Sequence, residues 1–118
     1  MRVPQRTVLL LLDPQGSSLL KKRLNKAQYR VLETYTTDHA VAVCVNNPVH
    51  AAILDQELFV ETGGWSVAQS LKAVQANLCV LLVTEAKPLT KKLPKGVDAI
   101  VTGRNSNELL MALDRLLG

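Results

Sequence analysis

A chain of 118 residues that is 47% hydrophobic and 20% charged has the balance of one folded domain, which excludes an intrinsically disordered segment. No apolar run is long enough to span a bilayer, and the short apolar segment near the N-terminus ends in Asp13, which argues against a secretory signal. The formal charge is +4, with cations gathered in "KKRLNK" (21–26) and "KPLTKKLPK" (87–95). No aromatic side chains interleave with them to stack on bases, so these read as solvated faces and direct nucleic-acid binding is not expected.

The elements follow in chain order. "TVLLLL" (7–12) is continuously apolar and closed by Asp13, Pro14 and Gly16, the pattern of a strand buried on both faces. "SSLLKKRLNKAQ" spaces Leu20, Leu24 and Ala27 at i, i+4, i+7 with cations opposite, an amphipathic helix with Ser17 as its expected N-cap. "YRVLETYT" alternates weakly and suits a strand near a sheet edge. "TDHAVAVCVNN" reads as a helix that Asp38 caps and that Asn46, Asn47 and Pro48 stop. "HAAILD" is the third strand. "GWSVAQSLKAVQAN" places Val67, Leu71 and Val74 on one helical face, with Trp65 as a packing residue at its start. "LCVLLVT" and "VDAIVT" are the fourth and fifth strands. Between them, "EAKPLTKKLPKG" carries Pro88 and Pro94, so this crossover has room for only a shortened or irregular helix. "NSNELLMALDRLLG" closes the chain as a helix, with Asn105 and Glu108 at capping-box spacing and Leu109, Leu113 and Leu116 as its seam.

Strands alternating with helices predict an α/β fold, a doubly wound parallel sheet covered on both faces, in a single domain over 1–118. Ligands in such sheets collect beyond the carboxyl ends of the strands. Asp13, Asp55 and Thr84 each stand at such an end and should share one edge. Cys44 and Cys79 lie far apart inside apolar elements and read as buried free thiols in a reducing compartment. His39 and His50 fall near loops, lack partners at ligand spacing and are expected to be exposed. No Ser-His-Asp arrangement, nucleophile elbow, dinucleotide fingerprint or Walker pattern is present.

The order and spacing of these elements resemble the CheY-like receiver domain of response regulators over essentially the whole chain. The resemblance is carried by "AAILDQEL", by the glycine turn of "ETGGWSVAQSL", by Thr84, and by "GVDAIV" followed by "NSNELLMALDRLL". It implies a flavodoxin-like sheet of order 2-1-3-4-5 and a role in two-component signal transduction or a phosphorelay, as a non-enzymatic cytoplasmic phosphoprotein. Asp55 matches the phosphoacceptor that takes its phosphoryl group from a histidine kinase. Thr84 matches the hydroxyl that contacts a phosphoryl oxygen. Asp13, Asp55 and the backbone carbonyl of Glu57 match the magnesium site. A histidine kinase or phosphotransfer protein and a downstream protein target are the implied partners. Such chemistry needs a carboxylate nucleophile, a divalent cation and donors for the equatorial oxygens.

The chain also departs from the family. Where the family has an acidic pair after its first strand, Asp13 is followed by Pro14, which removes one metal carboxylate and weakens the Mg²⁺ site. Gly103 stands where the family has a lysine; Arg104, one position on, reads as solvent-facing. Phe59 replaces a proline after the acceptor loop, and Ile100 replaces the aromatic of the fifth strand. The resemblance therefore implies an atypical receiver. The alternative is a pseudo-receiver, an unphosphorylated protein-protein interaction module whose strand-end aspartates cap loops and turns. An unrelated ligand-binding or enzymatic domain of the same fold has no further polar constellation in its favour.

Overall fold

The computed structural model describes residues 6–12, 14–55, 64–84, 96–102 and 106–117. Within them the order is β1 (Thr7–Leu11), α1 (Pro14–Lys26), β2 (Arg30–Thr34), α2 (Thr37–Asn46), β3 (Ala51–Asp55), α3 (Gly64–Val74), β4 (Cys79–Thr84), β5 (Ala99–Thr102) and α4 (Ser106–Leu117). The strands form one parallel sheet of order β2-β1-β3-β4-β5. This is the flavodoxin-like order that the family resemblance implies. The connection 85–95, expected to be short or irregular, lies outside the described residues.

The core is aliphatic and falls into two layers. On one face, Leu9, Leu11, Ala52, Leu54, Val80 and Leu82 meet Ala40 and Cys44 of α2 and Val67, Ala68 and Leu71 of α3. On the other, Val8, Leu10, Ala51, Ile53, Leu81 and Val83 meet Leu20 and Leu24 of α1 and Leu109 and Leu113 of α4. Consecutive strand residues alternate between the layers, so β1 from Val8 onward and β3 as far as Leu54 must be apolar on both faces, and every residue of both strands is buried. A fully buried Leu or Ile contributes about 1.5–3 kcal/mol, which makes this doubly covered sheet the main source of stability. β2 sits at the edge, mostly half-exposed, as its weak alternation predicts.

Three local readings are corrected. Helix α1 starts at Pro14, which places Ser17 within the helix and not at its cap. A proline at the first helical position loses no hydrogen bond and is already set to the helical φ. Helix α2 is capped by Thr36, whose hydroxyl accepts from the His39 N–H at 3.1 Å, so Asp38 lies in the first turn, where its charge meets the positive end of the helix. In α3 the buried seam is Val67, Ala68 and Leu71, while Val74 is 39% exposed. The chain leaves the helix at that point and Gln75 faces inward in its place. The proposed cap Asn105 lies outside the described residues, although Leu109 and Leu113 are buried and Leu116 half-buried as expected.

Helix α1 ends in a Schellman turn built on a residue other than glycine. The Tyr29 N–H donates to the Leu24 carbonyl and the Gln28 N–H to the Asn25 carbonyl, both at 3.0 Å, with Gln28 left-handed at φ 71°. Tyr29 then packs in the same layer as Leu24.

Candidate functional site at the carboxyl edge

The topology selects one end of the sheet. From β1 the chain moves first to β2 and then returns to β3 on the other side of β1, and with right-handed crossovers this reversal sends α1 and α2 to opposite faces. Helices diverge above the β1/β3 junction, which makes that crevice the switch point where open α/β sheets take ligands. β3 places Asp55 at its rim.

Asp55 is 3% exposed, a carboxylate at the end of an otherwise apolar strand. In the ladder it stands opposite Val83, which leaves Thr84 one residue further along the neighbouring strand. Thr84 is 5% exposed and pairs across to Thr102 of β5. On the other side, Leu11 is level with Leu54, so Leu12 follows at the level of Asp55. The structure thus brings Asp55 and Thr84 to one edge on adjacent strands. Asp13, Glu57, Phe59, Gly103 and Arg104 lie outside the described residues, as does the Trp65 side chain. Ile100 is half-buried beside the layer formed by α2 and α3. Among the described residues, no group of three or more His, Cys, Asp or Glu side chains is arranged to hold a metal ion.

The opposite, amino-terminal edge carries a cleft of about 630 Å³ lined by Arg6, His50, Gln75, Asn77, Cys79 and Leu117 among others. Most of its polar groups serve the fold. His50 is exposed but not without a partner: its Nδ1 accepts the Thr7 N–H at 3.0 Å, and its own backbone N–H donates to the Thr7 carbonyl at 2.9 Å. The histidine side chain therefore completes the start of the β1/β3 pairing, a role that sequence spacing does not signal. Gln75 donates to the carbonyls of Cys44 and Asn47, each at 2.6 Å, and accepts from the Val49 N–H at 3.0 Å. It ties the end of α2 to the entry of β3. Arg6 donates to the Leu117 carbonyl at the end of α4.

Cys44 is buried, but Cys79 is only half-buried, and both are free. Burial pushes the Cys44 thiol pKa up. Cys79 is raised by burial and by the nearby Asp98 carboxylate, partly countered by Lys72 and Arg6. Both thiols stay protonated at neutral pH, so neither is a nucleophile.

No protein-family model matches this sequence, and no curated protein matches it. Solved structures do. A signal receiver domain of an HD domain-containing protein from Pseudomonas fluorescens Pf-5 superposes with a TM-score of 0.84 at 18% identity, covering 97% of this chain and 95% of that one. A CheY-like response regulator receiver domain from Methanospirillum hungatei gives 0.83 at 19% identity, with 97% and 94% covered. The response regulator TrrA from Thermotoga maritima, solved in complex with Mg(2+)-BeF, gives 0.80 at 22% identity, with 97% and 100% covered. The fold of this chain is that of the CheY-like receiver domains.

Proposed function

We propose that this chain is an atypical receiver domain of two-component signalling that accepts a phosphoryl group on Asp55. The observation that carries this reading is the position of Asp55: a buried carboxylate closing β3 beside the switch point of a receiver fold, with Thr84 one residue further along the adjacent strand. A carboxylate oxygen of Asp55 attacks phosphorus, a P–O bond forms, and the P–N bond of a kinase phosphohistidine breaks. The leaving imidazole takes up a proton from solvent. The product is an acyl phosphate projecting past the edge, where Thr84 donates to one of its oxygens.

The donor set proposed for magnesium is made of hard oxygens: the Asp13 and Asp55 carboxylates and the Glu57 carbonyl. Asp13 follows β1 in sequence and lies outside the described residues. When bound, the cation neutralises charge on the phosphoryl group. With one carboxylate fewer than the family pattern, its affinity is low. The proposed partners are a histidine kinase or phosphotransfer protein and a downstream protein, acting in the cytoplasm. Among the described residues no helix is long and apolar enough to cross a membrane, which leaves this placement open.

A pseudo-receiver is the second reading, favoured by Pro14 and Gly103 at positions where the family carries charge. Incubation with Mg²⁺ and acetyl phosphate, followed by intact-mass measurement, separates the two. A gain of one phosphoryl group that Asp55→Asn abolishes supports phosphoacceptance. An unchanged mass here and with a cognate kinase supports the pseudo-receiver.

A further inference from the structure

The cleft at the amino-terminal edge has a volume of about 630 Å³, within the range of small-molecule sites. Its walls come from the starts of three neighbouring strands and the end of one helix. Arg6 precedes β1, His50 precedes β3, Cys79 opens β4, and Leu116 and Leu117 close α4. Pro48 and Val49 add apolar surface on the approach to β3. The strand starts are held at fixed levels: the His50 N–H donates to the Thr7 carbonyl at 2.9 Å, and the Cys79 N–H to the His50 carbonyl at 3.1 Å. Side chains projecting from these positions are therefore placed by the sheet itself.

Among the described residues, Arg6 is the one charged side chain on these walls, and no carboxylate lines them. The carbonyls that end α4 are met from within the fold. Arg6 donates to that of Leu117, and the Cys79 thiol lies 3.9 Å from that of Leu116. The negative end of this helix thus calls for no external cation. A guanidinium carries five N–H donors, and one carbonyl leaves most of them for a ligand. His50 Nδ1 accepts the Thr7 N–H at 3.0 Å, so the neutral imidazole holds its proton on Nε2, a further donor. Asn77, exposed on the same cleft, adds an amide. Gln75, by contrast, is committed to Cys44, Asn47 and Val49.

We propose that this cleft binds a small amphipathic carboxylate, with its headgroup on Arg6 and its aliphatic body along Pro48, Val49, Leu116 and Leu117. His50 Nε2–H and the Asn77 amide are the further donors. The planar fork of Arg6 matches a carboxylate through two parallel N–H···O bonds. An inorganic anion answers the guanidinium but leaves the apolar walls wet. An aliphatic amine sets a second cation beside Arg6, and an alcohol gives up the charge-assisted bond. Occupancy bridges the end of α4 to three strand starts. The site lies at the opposite end of the sheet from Asp55 and does not rest on the phosphoacceptor reading.

The test uses the whole chain with four probes: octanoate, octylamine, octanol and inorganic phosphate. Amide chemical shifts titrated against each probe give affinity and location, and the thermal midpoint reads stabilisation by the bound ligand. The expected result is saturable binding of one octanoate per chain, a raised midpoint, and shifts centred on Thr7, Val49, His50, Asn77, Cys79 and Leu117. The other probes should bind at least roughly tenfold more weakly. Arg6→Met should weaken octanoate by roughly tenfold, and Arg6→Lys, which keeps the charge and loses the fork, should recover part of the loss. Asn77→Ala should weaken it roughly threefold. Asp55→Asn should leave it unchanged, so failure here and failure of phosphoacceptance are read separately. Should Arg6→Met lose its fold along with its bond to Leu117, Arg6→Lys and Asn77→Ala decide. Equal binding of octylamine or octanol, indifference of octanoate to the Arg6 and Asn77 variants, shifts centred elsewhere, or no saturable binding each overturns the inference.

Discussion

Thr84 stands one residue beyond the level of Asp55 on the adjacent strand, and both are withdrawn from solvent. A hydroxyl in that position is one step further out than the acceptor, where the oxygens of an attached phosphoryl group would lie. A hydrogen bond to a charged group contributes ~1.5–3 kcal/mol. Thr84→Ala should therefore lower the steady-state phosphorylation of Asp55 by acetyl phosphate roughly tenfold or more, and Thr84→Ser should restore most of it. Intact-mass quantification at matched times reads the difference. Equal labelling of Thr84→Ala and the parent protein would remove the hydroxyl from the site.

Gln75 makes three hydrogen bonds that join α2, α3 and the entry to β3. Gln75→Ala leaves the Val49 N–H and two carbonyls to find other partners, and should cost about 1–3 kcal/mol in a urea unfolding series. Gln75→Glu retains an acceptor for Val49 but turns a carboxylate oxygen toward the Cys44 and Asn47 carbonyls. It should be no more stable than the alanine variant at neutral pH, and should recover on acidification as the carboxyl group gains a proton.

Gln28 holds a backbone conformation suited to glycine at the end of α1. A side chain in the left-handed region costs about 1–2 kcal/mol, whereas glycine adds about 0.5–1 kcal/mol of unfolded-state entropy. Gln28→Gly should thus raise stability by up to about 1 kcal/mol, and Gln28→Val should lower it. Thermal unfolding of the three proteins orders them.

The Tyr29 hydroxyl donates to Asp114 Oδ1 at 2.9 Å across the α1–α4 side of the molecule. Burial, then the hydrogen bond and charge of Asp114, raise its pKa above the ordinary value of 10.0, with Arg6 acting in the opposite sense. The folded state therefore holds the phenolic proton more tightly than the unfolded chain. Its contribution is fully present below the unfolded value near pH 10 and is lost as pH rises through the higher folded value. Stability measured from about pH 8 to pH 11 should fall less steeply for Tyr29→Phe than for the parent.

The sheet was legible in the sequence because its central strands are buried on both faces, and five consecutive apolar residues have few other uses in a chain with this alternation. The helix boundaries were less so. Pro14 and Ser17 both carry start signals, and a proline at the first turn competes with a serine cap three residues later. Thr36 and Asp38 are both capping residue types, and the choice fell to the backbone at Thr36, which is extended at φ −134°. Val74 looks like a seam residue by spacing alone, yet the helix ends there and Gln75 takes the inward position. His50 and Gln75 were missed because their work is to satisfy backbone groups at strand and helix ends, and such roles follow from tertiary position, not residue spacing. At the candidate site, Asp55 and Thr84 were legible as polar residues terminating apolar strands.

Asp98 answers Val80 twice: its N–H donates to the Val80 carbonyl at 2.9 Å and its carboxylate accepts the Val80 N–H at 2.7 Å. The same carboxylate lies 2.8 Å from Lys72 of α3. β5 is therefore indexed against β4 by a side chain standing just ahead of its first residue, and a slip of one position would break this clamp and turn Val101 out of its layer. The connection that delivers β5 is relieved of setting its alignment. Its length and sequence are free to diverge while the final strand still arrives in one place.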